Sequence, residues 1–499
     1  MSRLALIGAT AALLAGCTVG PRYATPTPDT PGAWRATDAV PPGATLSVVS
    51  AATIQDDAWW ASFHDTELTS LVGRALGANL DARQAVLRID EARAQRRIAA
   101  AGAWPTLDAT ASYTDTRISE RTSTSSIFGA LGGGKAGAPP GVAAAIPGLV
   151  NPFSQYQYGL TGSWEIDVFG RIRRQVEAAD ANTAAAVEDA RAVGVSLMAE
   201  VAGAYIDLRA AQARRAVTQE NVATARALLK LATDARAEGL GNDLDIASGK
   251  AELATAQAAL PPLKTEIATD ESQLALLLAA KPGALDAELE DAKAIPPVPP
   301  HVPVGLPAEL TRRRPDIREA EARLHGAVAL QGVAVANLYP RVTIDAAFGL
   351  EASNPASLAA WAARYFAAGP ELDLPLFDAG QRRENVHIAD IHAKEAALAY
   401  AQTVLAALHE VEDAITAYDQ EQSRREALQT AQSESRAALA LAQERYTAGS
   451  VSFRDVLDAQ DRLQAAELAF TASTAATSED LVTLYKSLGG GWQAREAGA

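Results

Sequence analysis

One cysteine occurs in the 499 residues, and its position gives it a defined chemistry. Cys17 closes the tetrapeptide Leu14-Ala15-Gly16-Cys17, which follows a short basic start and an apolar run. Bacterial lipoprotein signals have this charged, apolar, small-residue order and are removed from the mature chain. We therefore expect residues 1–16 to be cleaved and Cys17 to carry an N-acyl diacylglycerol lipid. The alternative is an ordinary secretion signal that contains a cysteine by chance.

Other residues that could do chemistry do not form a catalytic or metal-binding set. Residues 129–136 resemble a phosphate-binding loop, but Ala136 stands where a Ser or Thr must hold magnesium. His387 and His392 are five residues apart and share no helical face, and a single cysteine excludes a Cys-based zinc site. The net charge of -16 argues against a nucleic-acid partner, which requires a basic face. The sequence predicts no enzyme, no metal and no cofactor beyond the lipid.

The chain contains an internal repeat. The segment that begins at Asn79 is matched, without a gap, by the segment that begins at Arg314, at an offset of 235 residues. The match carries Trp104-Pro105 onto Tyr339-Pro340, so both copies run from an alanine-rich helix through aromatic-Pro into a strand. A repeat of this length indicates two similar halves packed about a common axis.

Four segments alternate apolar and polar residues with a period of two, which is typical of half-exposed strands. They lie at about 105–118, 155–169, 340–351 and 363–377. Each is about as long as a tilted membrane strand, roughly 9–11 residues. One oily and one wet face suit a barrel with a polar lumen; the alternative is a soluble antiparallel sheet.

A very long helix follows the second strand of each half. Residues 170–238 and 380–447 contain no proline and predict helices of about 100 Å at 1.5 Å per residue. Apolar residues at 4-3-4-3 spacing, such as Leu197, Val201, Ala204 and Leu208, indicate side-by-side helix packing. Returning helices are predicted at 243–280 and 453–487, and Pro261-Pro262 should break the first.

The strand count implies an oligomer. Four membrane strands cannot close a barrel, since the smallest bacterial barrels have eight. An open sheet edge in lipid leaves backbone groups unsatisfied, at a cost of several kcal/mol each. Several chains must therefore share one barrel, which the long helices continue on the periplasmic side.

Three motifs resemble one known family. They are Leu306–Arg318 (LPAELTRRRPDIR), Trp164–Arg171 (WEIDVFGR) and Val456–Gln460 (VLDAQ). Together they resemble the outer-membrane efflux proteins, the TolC-like outer-membrane factors, and specifically their NodT-like lipoprotein branch. The resemblance implies an α+β membrane protein: a homotrimer with a 12-stranded outer-membrane β-barrel, four strands per chain, above a periplasmic α-helical barrel. It also implies a periplasmic adaptor and an inner-membrane pump of the resistance-nodulation-division class as partners.

The same resemblance assigns gate residues at the periplasmic tip. Asp455 and Asp458 resemble the two acidic residues that ring the closed aperture, although Asp near a helix N-terminus also simply suits the helix dipole. Tyr446 resembles a lock tyrosine and Asp245 its acidic partner on the other hairpin. The family's lock arginine is absent, because Val451 stands at its position, and Arg454 is the nearest substitute.

Three glycines complete the candidate site. Gly239, Gly241 and Gly449 are expected to turn the helix hairpins and to contact the adaptor. The alternative is that they only end helices.

These expectations divide the chain into a signal, a lipidated arm, two repeats, a linker and a tail. The segments are 1–16, 17–62, 63–280 (first outer-membrane efflux repeat), 281–306 (Pro-rich linker), 307–486 (second repeat) and 487–499. The expected function is a passive gated duct that exports drugs or other small toxic compounds across the outer membrane. Type I protein secretion, a non-conducting structural lipoprotein, and an enzyme hidden in the arm, linker or tail are the alternatives.

Overall fold

The computed structural model describes residues 18–35, 47–52, 58–117, 153–239 and 241–493. The predicted signal, Cys17, the near-phosphate-loop at 129–136 and the last residues of the tail lie outside the described residues. The chain divides into two compact units. The sheet unit comprises the described part of Met1–Ala24 with Arg93–Ala181 and His325–Lys394, and the helical unit comprises Thr25–Ala92, Asn182–Leu324 and Glu395–Ala499.

The elements follow the predicted order. The strands are β1 Val48–Ser50, β2 Thr106–Thr116, β3 Phe153–Ile166, β4 His301–Pro303, β5 Arg341–Ala352 and β6 Arg364–Asp373. The α-helices are α1 Thr66–Ala78, α2 Leu80–Ala101, α3 Arg171–Ala237, α4 Asp243–Ala258, α5 Leu260–Leu277, α6 Asp286–Leu289, α7 Pro307–Arg313, α8 Pro315–Ala336, α9 Gln381–Thr447 and α10 Phe453–Ser487. Short 3-10 helices occupy Trp59–Phe63, Pro355–Ser357 and Trp361–Ala363.

Four strands form one antiparallel sheet in the order β2-β3-β5-β6. Within each repeat the two strands form a hairpin, β2 with β3 and β5 with β6, and the β3–β5 pairing joins the two repeats. In one row, Ala109 pairs with Leu160, Leu160 with Phe348, and Phe348 with Phe366. Residues paired across strands share a face, so the apolar positions of all four strands lie on one side of the sheet.

This apolar face is strongly exposed. Leu107, Phe348 and Phe366 are 71%, 55% and 84% accessible to solvent in the single chain. A soluble antiparallel sheet packs its apolar face on a core. The exposure therefore favours a lipid-facing surface over the soluble alternative. None of the helices in the described ranges is long and apolar enough to cross a membrane.

Strand β6 is shorter than its sequence pattern predicts. It ends at Asp373, whereas the alternation continued to residue 377. Its partner strand β5 begins at Arg341, which pairs with Asp373, so no residue of β5 is left to extend the ladder. The predicted strand residues Leu374 and Leu376 therefore lie beyond the sheet, and Leu376 is 88% exposed.

The two long helices confirm the repeat and refine its offset. Helices α3 and α9 have 67 residues each and begin 210 positions apart, at Arg171 and Gln381. The offset falls from 235 to 210 because the first repeat has a connection 25 residues longer between its strands. The predicted seam on α3 is buried, with Val201 and Leu208 fully inaccessible.

The sequence pattern predicts helix from about residue 63 to residue 101, but Asn79 divides this stretch into α1 and α2. The Asn79 Oδ1 accepts hydrogen bonds from the N–H groups of Asp81 and Ala82, at 2.9 and 3.0 Å, and so caps α2. Its Nδ2 donates to the carbonyl of Leu277 at 2.9 Å. The Pro261-Pro262 break is confirmed: α4 ends at Ala258, and the prolines occupy the first turn of α5.

The arm and the linker meet in a pairing that the sequence did not predict. Strand β1 of the arm pairs in parallel with β4 of the linker, Val49 opposite Val302. The indole Nε1 of Trp34 in the arm donates to the carbonyl of Gly305 at 3.0 Å. These segments thus form part of the core of the helical unit, together with the buried Trp59 and Phe63.

Candidate functional site

Each long helix ends in a glycine turn and returns as a second helix. Gly239 follows α3 with φ +79°, and Gly449 follows α9 with φ +68°, a left-handed conformation that favours glycine. The N–H of Gly449 donates to the Tyr446 carbonyl at 2.9 Å. Gly241 lies in the first turn, where its N–H donates to the carbonyl of Ala235 at 3.1 Å. Gly239 and Gly449 thus have the left-handed backbone of a turn and Gly241 does not; the contact of the three glycines with an adaptor stays a prediction.

The returning helices begin with the same capping motif. Asn242 and Asp245 form a capping box at the start of α4, and Ser452 and Asp455 form one at the start of α10. The Asp455 Oδ2 accepts hydrogen bonds from the backbone N–H and the hydroxyl of Ser452, at 2.8 and 2.6 Å. These bonds hold the pKa of Asp455 below its usual value. Two of the three predicted gate acids, Asp245 and Asp455, are therefore also members of capping boxes.

The two predicted aperture residues lie on the exposed side of α10. Asp455 and Asp458 are one turn apart and solvent-exposed. The opposite side of the helix packs into an apolar cluster with α3 and α9, which contains Leu228, Ala232, Leu439, Phe453, Val456 and Leu463. This packing fixes the rotation of α10, so it determines which way the carboxylates face.

Arg454, the predicted substitute for the lock arginine, points to Asp458. Its Nε lies 4.0 Å from the Asp458 Oδ2, and its side chain is 87% exposed. An exposed ion pair of this kind contributes little to stability. No bond from Arg454 to Tyr446 or Asp245 occurs among the described hydrogen bonds and ion pairs, so its role in a lock stays a prediction.

Tyr446 lies at the edge of the same apolar cluster. Its ring packs against Phe453, with 5.5 Å between the centroids. Burial and, next, the negative charge of Asp245 raise the pKa of Tyr446, and the pairing of the two residues in a lock stays a prediction. Within the described chain the Tyr446 hydroxyl is buried without a hydrogen-bond partner.

Two further acidic residues, Asp461 and Glu252, lie near this pair, and the motif comparison missed them. Asp461 lies one turn beyond Asp458, and burial and then the charge of Asp458 raise its pKa. Burial and then the charge of Asp461 raise the pKa of Glu252 on α4. Asp455, Asp458 and Asp461 are called the acidic stripe below. Their spacing of three residues was visible in the sequence. Glu252 could be found only once α4 and α10 were paired.

The arginine-rich motif binds the end of the chain. Arg314 Nη1 donates to the carbonyl of Ser487 at 2.8 Å and lies 2.7 Å from Glu410 Oε2. The indole of Trp492 donates to the carbonyl of Arg313 at 2.9 Å, and the guanidinium of Arg318 lies 5.1 Å from its ring centroid. In this unit the motif has a structural role, because it fixes the tail that follows α10.

The motif at residues 164–171 builds the junction between β3 and α3. Arg171 forms a two-pronged ion pair with Glu165, at 2.9 and 2.7 Å. The Asp167 Oδ2 accepts the backbone N–H of Arg173 at 2.8 Å. In the VLDAQ motif, Val456 and Gln460 are buried, and Gln460 Nε2 donates to Asn221 on α3 at 3.4 Å.

The chain combines amphipathic strands of membrane length with two long helix hairpins, one of which carries an acidic stripe at its tip. These are the features of an outer-membrane channel protein. The model of the family described as outer membrane efflux protein matches residues 71–280 and 306–490. The chain belongs to this family, which confirms the resemblance drawn from its motifs. Its place is the outer membrane of a bacterium.

Curated relatives match along nearly the whole chain. The outer membrane protein OprJ of Pseudomonas aeruginosa is 32% identical over 490 residues, which are 96% of this chain and 94% of OprJ. Nodulation protein T of Rhizobium leguminosarum is 30% identical and covers 97% of this chain and 92% of its own length. The solved outer-membrane channel OprN has a TM-score of 0.81 at 34% identity, over 96% of this chain and all of that one.

Proposed function

We propose that this protein is the outer-membrane duct of a tripartite efflux pump. Three chains assemble into a 12-stranded barrel, and their long helices form the periplasmic part of the conduit. The duct is passive and gated: it catalyses no reaction, and an inner-membrane transporter of the resistance-nodulation-division class supplies the energy. Its cargo is drugs or other small toxic compounds that pass from the periplasm to the outside.

The observation that carries this proposal is the unfinished sheet. Strands β2 and β6 are its edges, and each pairs on one side only within the described residues. The face that would meet lipid is apolar across all four strands. Unpaired edges in lipid cost several kcal/mol per backbone group, so only closure with further copies gives a stable membrane structure. Three copies supply twelve strands.

The opposite face of the sheet suits a water-filled interior. It carries hydroxyl, carboxylate and other polar groups at Thr106, Asp108, Thr161, Ser163, Glu165, Thr343, Asp345, Glu371 and Asp373. Barrels that conduct have such alternation between lipid-facing and lumen-facing residues. The same polar lining disfavours a barrel that only anchors a scaffold.

The expected partners follow from the N-terminal arm and from the tips of the helix hairpins. A lipid on Cys17 anchors the N-terminal arm in the outer membrane, in addition to the strands. The hairpin tips at Gly239, Gly241 and Gly449 contact a periplasmic adaptor protein, which joins the duct to the pump. Exposed tip residues on rigid helices are well suited to such docking, since they need no rearrangement.

Conductance in planar lipid bilayers tests the function. The purified wild-type protein is expected to form trimers and to give discrete single-channel steps after reconstitution. Cross-linked trimers that insert but never conduct, including after removal of the gate carboxylates, would contradict the duct and favour a structural lipoprotein. Co-purification after cross-linking at the tips is expected to capture an adaptor.

The acidic stripe of α10 acts as a cation-selective gate in this proposal. A trimer places Asp455 and Asp458 from three chains around one axis. Like charges at close range repel one another and attract cations. We expect Asp458→Ala to reduce the cation-over-anion permeability ratio about threefold, and Asp455→Ala/Asp458→Ala to reduce it further and to raise conductance. Reversal potentials in a salt gradient measure the ratio.

The variants are not equivalent, because Asp455 also caps α10. Its loss removes the bonds to Ser452 and costs about 1 kcal/mol of helix stability whatever the pore does. Asp458→Ala is therefore the cleaner probe. Asp243→Asn, an exposed carboxylate paired with Arg236 at the other tip, is the matched control and should leave selectivity unchanged. Equal selectivity in Asp458→Ala and wild type would refute the gate assignment.

The lock assignment predicts a gain of conductance. The Tyr446 hydroxyl has no partner within the described chain, so Tyr446→Phe should not lower the free energy of unfolding of the single chain. If the hydroxyl bonds to a neighbouring hairpin in the trimer, the variant should open more often in bilayers. Tyr400→Phe, elsewhere on α9, is the control. An unchanged open probability in Tyr446→Phe would remove this residue from the lock.

A further inference from the structure

The first described residues lie against two helices of the sheet unit. Residues 18–24, called the strap below, follow Cys17 in the sequence. The N–H of Val19 donates to the carbonyl of Phe169 at 3.2 Å, close to the start of α3. Further along, the ring of Tyr23 stacks on the imidazole of His325 on α8, with 4.3 Å between centroids and 15° between planes. The strap is therefore held at both ends.

A contact between two glycines brings the strap onto the helix surface. Gly20 has φ +89°, and a Cβ at this position would lie 2.7 Å from the Cα of Gly332 on α8. No side chain fits in that space, because real Cβ atoms do not approach a backbone atom so closely. Gly20 thus meets both conditions for glycine, a left-handed backbone and a close backbone approach.

The strap crosses the seam between the two repeats. Helix α3 belongs to the first repeat and α8 to the second. Beneath the strap, Glu177 on α3 lies 3.0 Å from His325 Nε2 and 2.7 Å from Arg174. Burial opposes ionisation of Glu177, but the hydrogen bonds from Arg174 and His325 outweigh it and lower its pKa. His325 therefore serves both the seam and the strap.

We propose that residues 18–24 are a clamp: the surface of α3 and α8 that they contact is a docking site for the chain's own N-terminal segment. Docking holds the seam covered and fixes the point at which the anchored N-terminus leaves the fold. The clamp itself does not depend on conduction, and only its link to an anchor rests on the proposed lipidation of Cys17. A loose arm would not fix the position of the lipid anchor relative to the sheet, whereas a docked arm does.

Limited trypsin digestion tests the clamp, because Arg22 lies within the strap. Isolated outer membranes with the wild-type protein are expected to be cut slowly after Arg22. Gly20→Ala should raise the rate of this cut about tenfold, since a side chain disfavours the left-handed backbone and collides with Gly332. Mass spectrometry of the new N-terminus at Tyr23 gives the rate, normalised to that of the heat-unfolded protein.

Gly32→Ala is the matched control. A Cβ at Gly32 meets no atom within 4 Å, so the rate after Arg22 should equal that of wild type. His325→Ala provides a second test that leaves the strap sequence intact, and it should raise the rate several-fold by removing the stacked ring. Equal rates after Arg22 in wild type, Gly20→Ala and His325→Ala would overturn the clamp. Because cleavage is measured independently of conductance, this result would leave the duct untouched.

Discussion

Glu67→Ala is expected to lower the free energy of unfolding of the helical unit by about 3–5 kcal/mol, because it leaves a buried arginine without its counter-ion. Arg209 on α3 is fully buried, and its Nη2 lies 2.5 Å from Glu67 Oε2. The same oxygen accepts hydrogen bonds from Lys293 Nζ at 2.6 Å and from the Tyr205 hydroxyl at 3.3 Å. Truncation therefore removes the common partner of two cations and a phenol.

The position of Glu67 means that its loss destabilises more than one element. It lies in the first turn of α1, directly after the cap Asp65, whose Oδ2 accepts the Tyr205 hydroxyl at 2.9 Å. Lys293 belongs to the Pro-rich linker. One carboxylate thus joins α1, α3 and the linker. A substitution there is expected to loosen all three, in contrast to a change on a single surface helix.

Thermal unfolding of the purified protein in detergent, at a fixed scan rate, measures the effect. On the order of 2–4 °C per kcal/mol is expected for a unit of this size. Glu288→Ala is the matched control, since its ion pair with Arg74 on α1 has side chains 42% and 38% exposed. Exposed pairs contribute about 0–1 kcal/mol. Similar losses in Glu67→Ala and Glu288→Ala would show that the buried pair carries no special weight.

Much of the fold was predictable because its signals are periodic and long. Alternation over about ten residues located β2, β3 and β5 to within three residues at each end. The absence of proline located α3 and α9 almost to the residue. The errors arose where a single side chain or a neighbouring strand overrides the local pattern. Asn79 divides a continuous helical pattern by capping α2, and β6 ends opposite the first residue of β5 while its alternation continues.

The candidate site was predictable only where a residue type and its place along the chain were sufficient. Gly239 and Gly449 are in the turns expected of them, and Asp455 and Asp458 are on one exposed side of α10. Glu252 and the unpaired hydroxyl of Tyr446 depend on which helices pack together, and no local pattern encodes that packing. The contact of Gly20 with Gly332 joins residues that are remote in sequence, so it required coordinates.

The arginine-rich motif illustrates a different limit. Its spacing identified the family, but no sequence pattern explained its three successive arginines. In the structure, Arg314 binds the end of α10, and Arg313 and Arg318 hold Trp492. The motif thus closes the second repeat on itself. A family signature can mark a structural joint and still be the best guide to function.

A second large effect is expected from pH, through two carboxyl groups on α3 and α10. Burial, and then the charge of Asp207, raises the pKa of Glu479 to about 7, and its side chain hydrogen-bonds to that of Asp207. Burial and then Asp207 likewise raise the pKa of Asp270 on α5 to about 6. Asp480 adds negative charge beside Glu479, and Arg214 partly offsets the repulsion. The native protein therefore keeps at Glu479 a proton that the unfolded chain releases near pH 4.5.

The sign of the effect follows from this proton. Between about pH 4.5 and 7 the native state binds more protons than the unfolded state, so stability falls as the pH rises through that window. Glu479→Gln keeps a hydrogen-bonding group but cannot ionise. We expect it to match the wild type near pH 4 and to melt a few degrees higher, on the order of 2–4 °C, at pH 8.

The comparison needs melting curves from pH 4 to pH 8 for the wild type and two variants. Glu426→Gln, at an exposed site on α9, is the control and should follow the wild-type curve. In Glu479→Gln the melting temperature should still fall as the pH rises to about 6, because burial and the charge of Asp207 also make Asp270 retain its proton. If Glu479→Gln melted below the wild type at pH 8, the ionised carboxyl group of Glu479 would be stabilising. The proposal that the native state retains a proton at Glu479 would then be wrong.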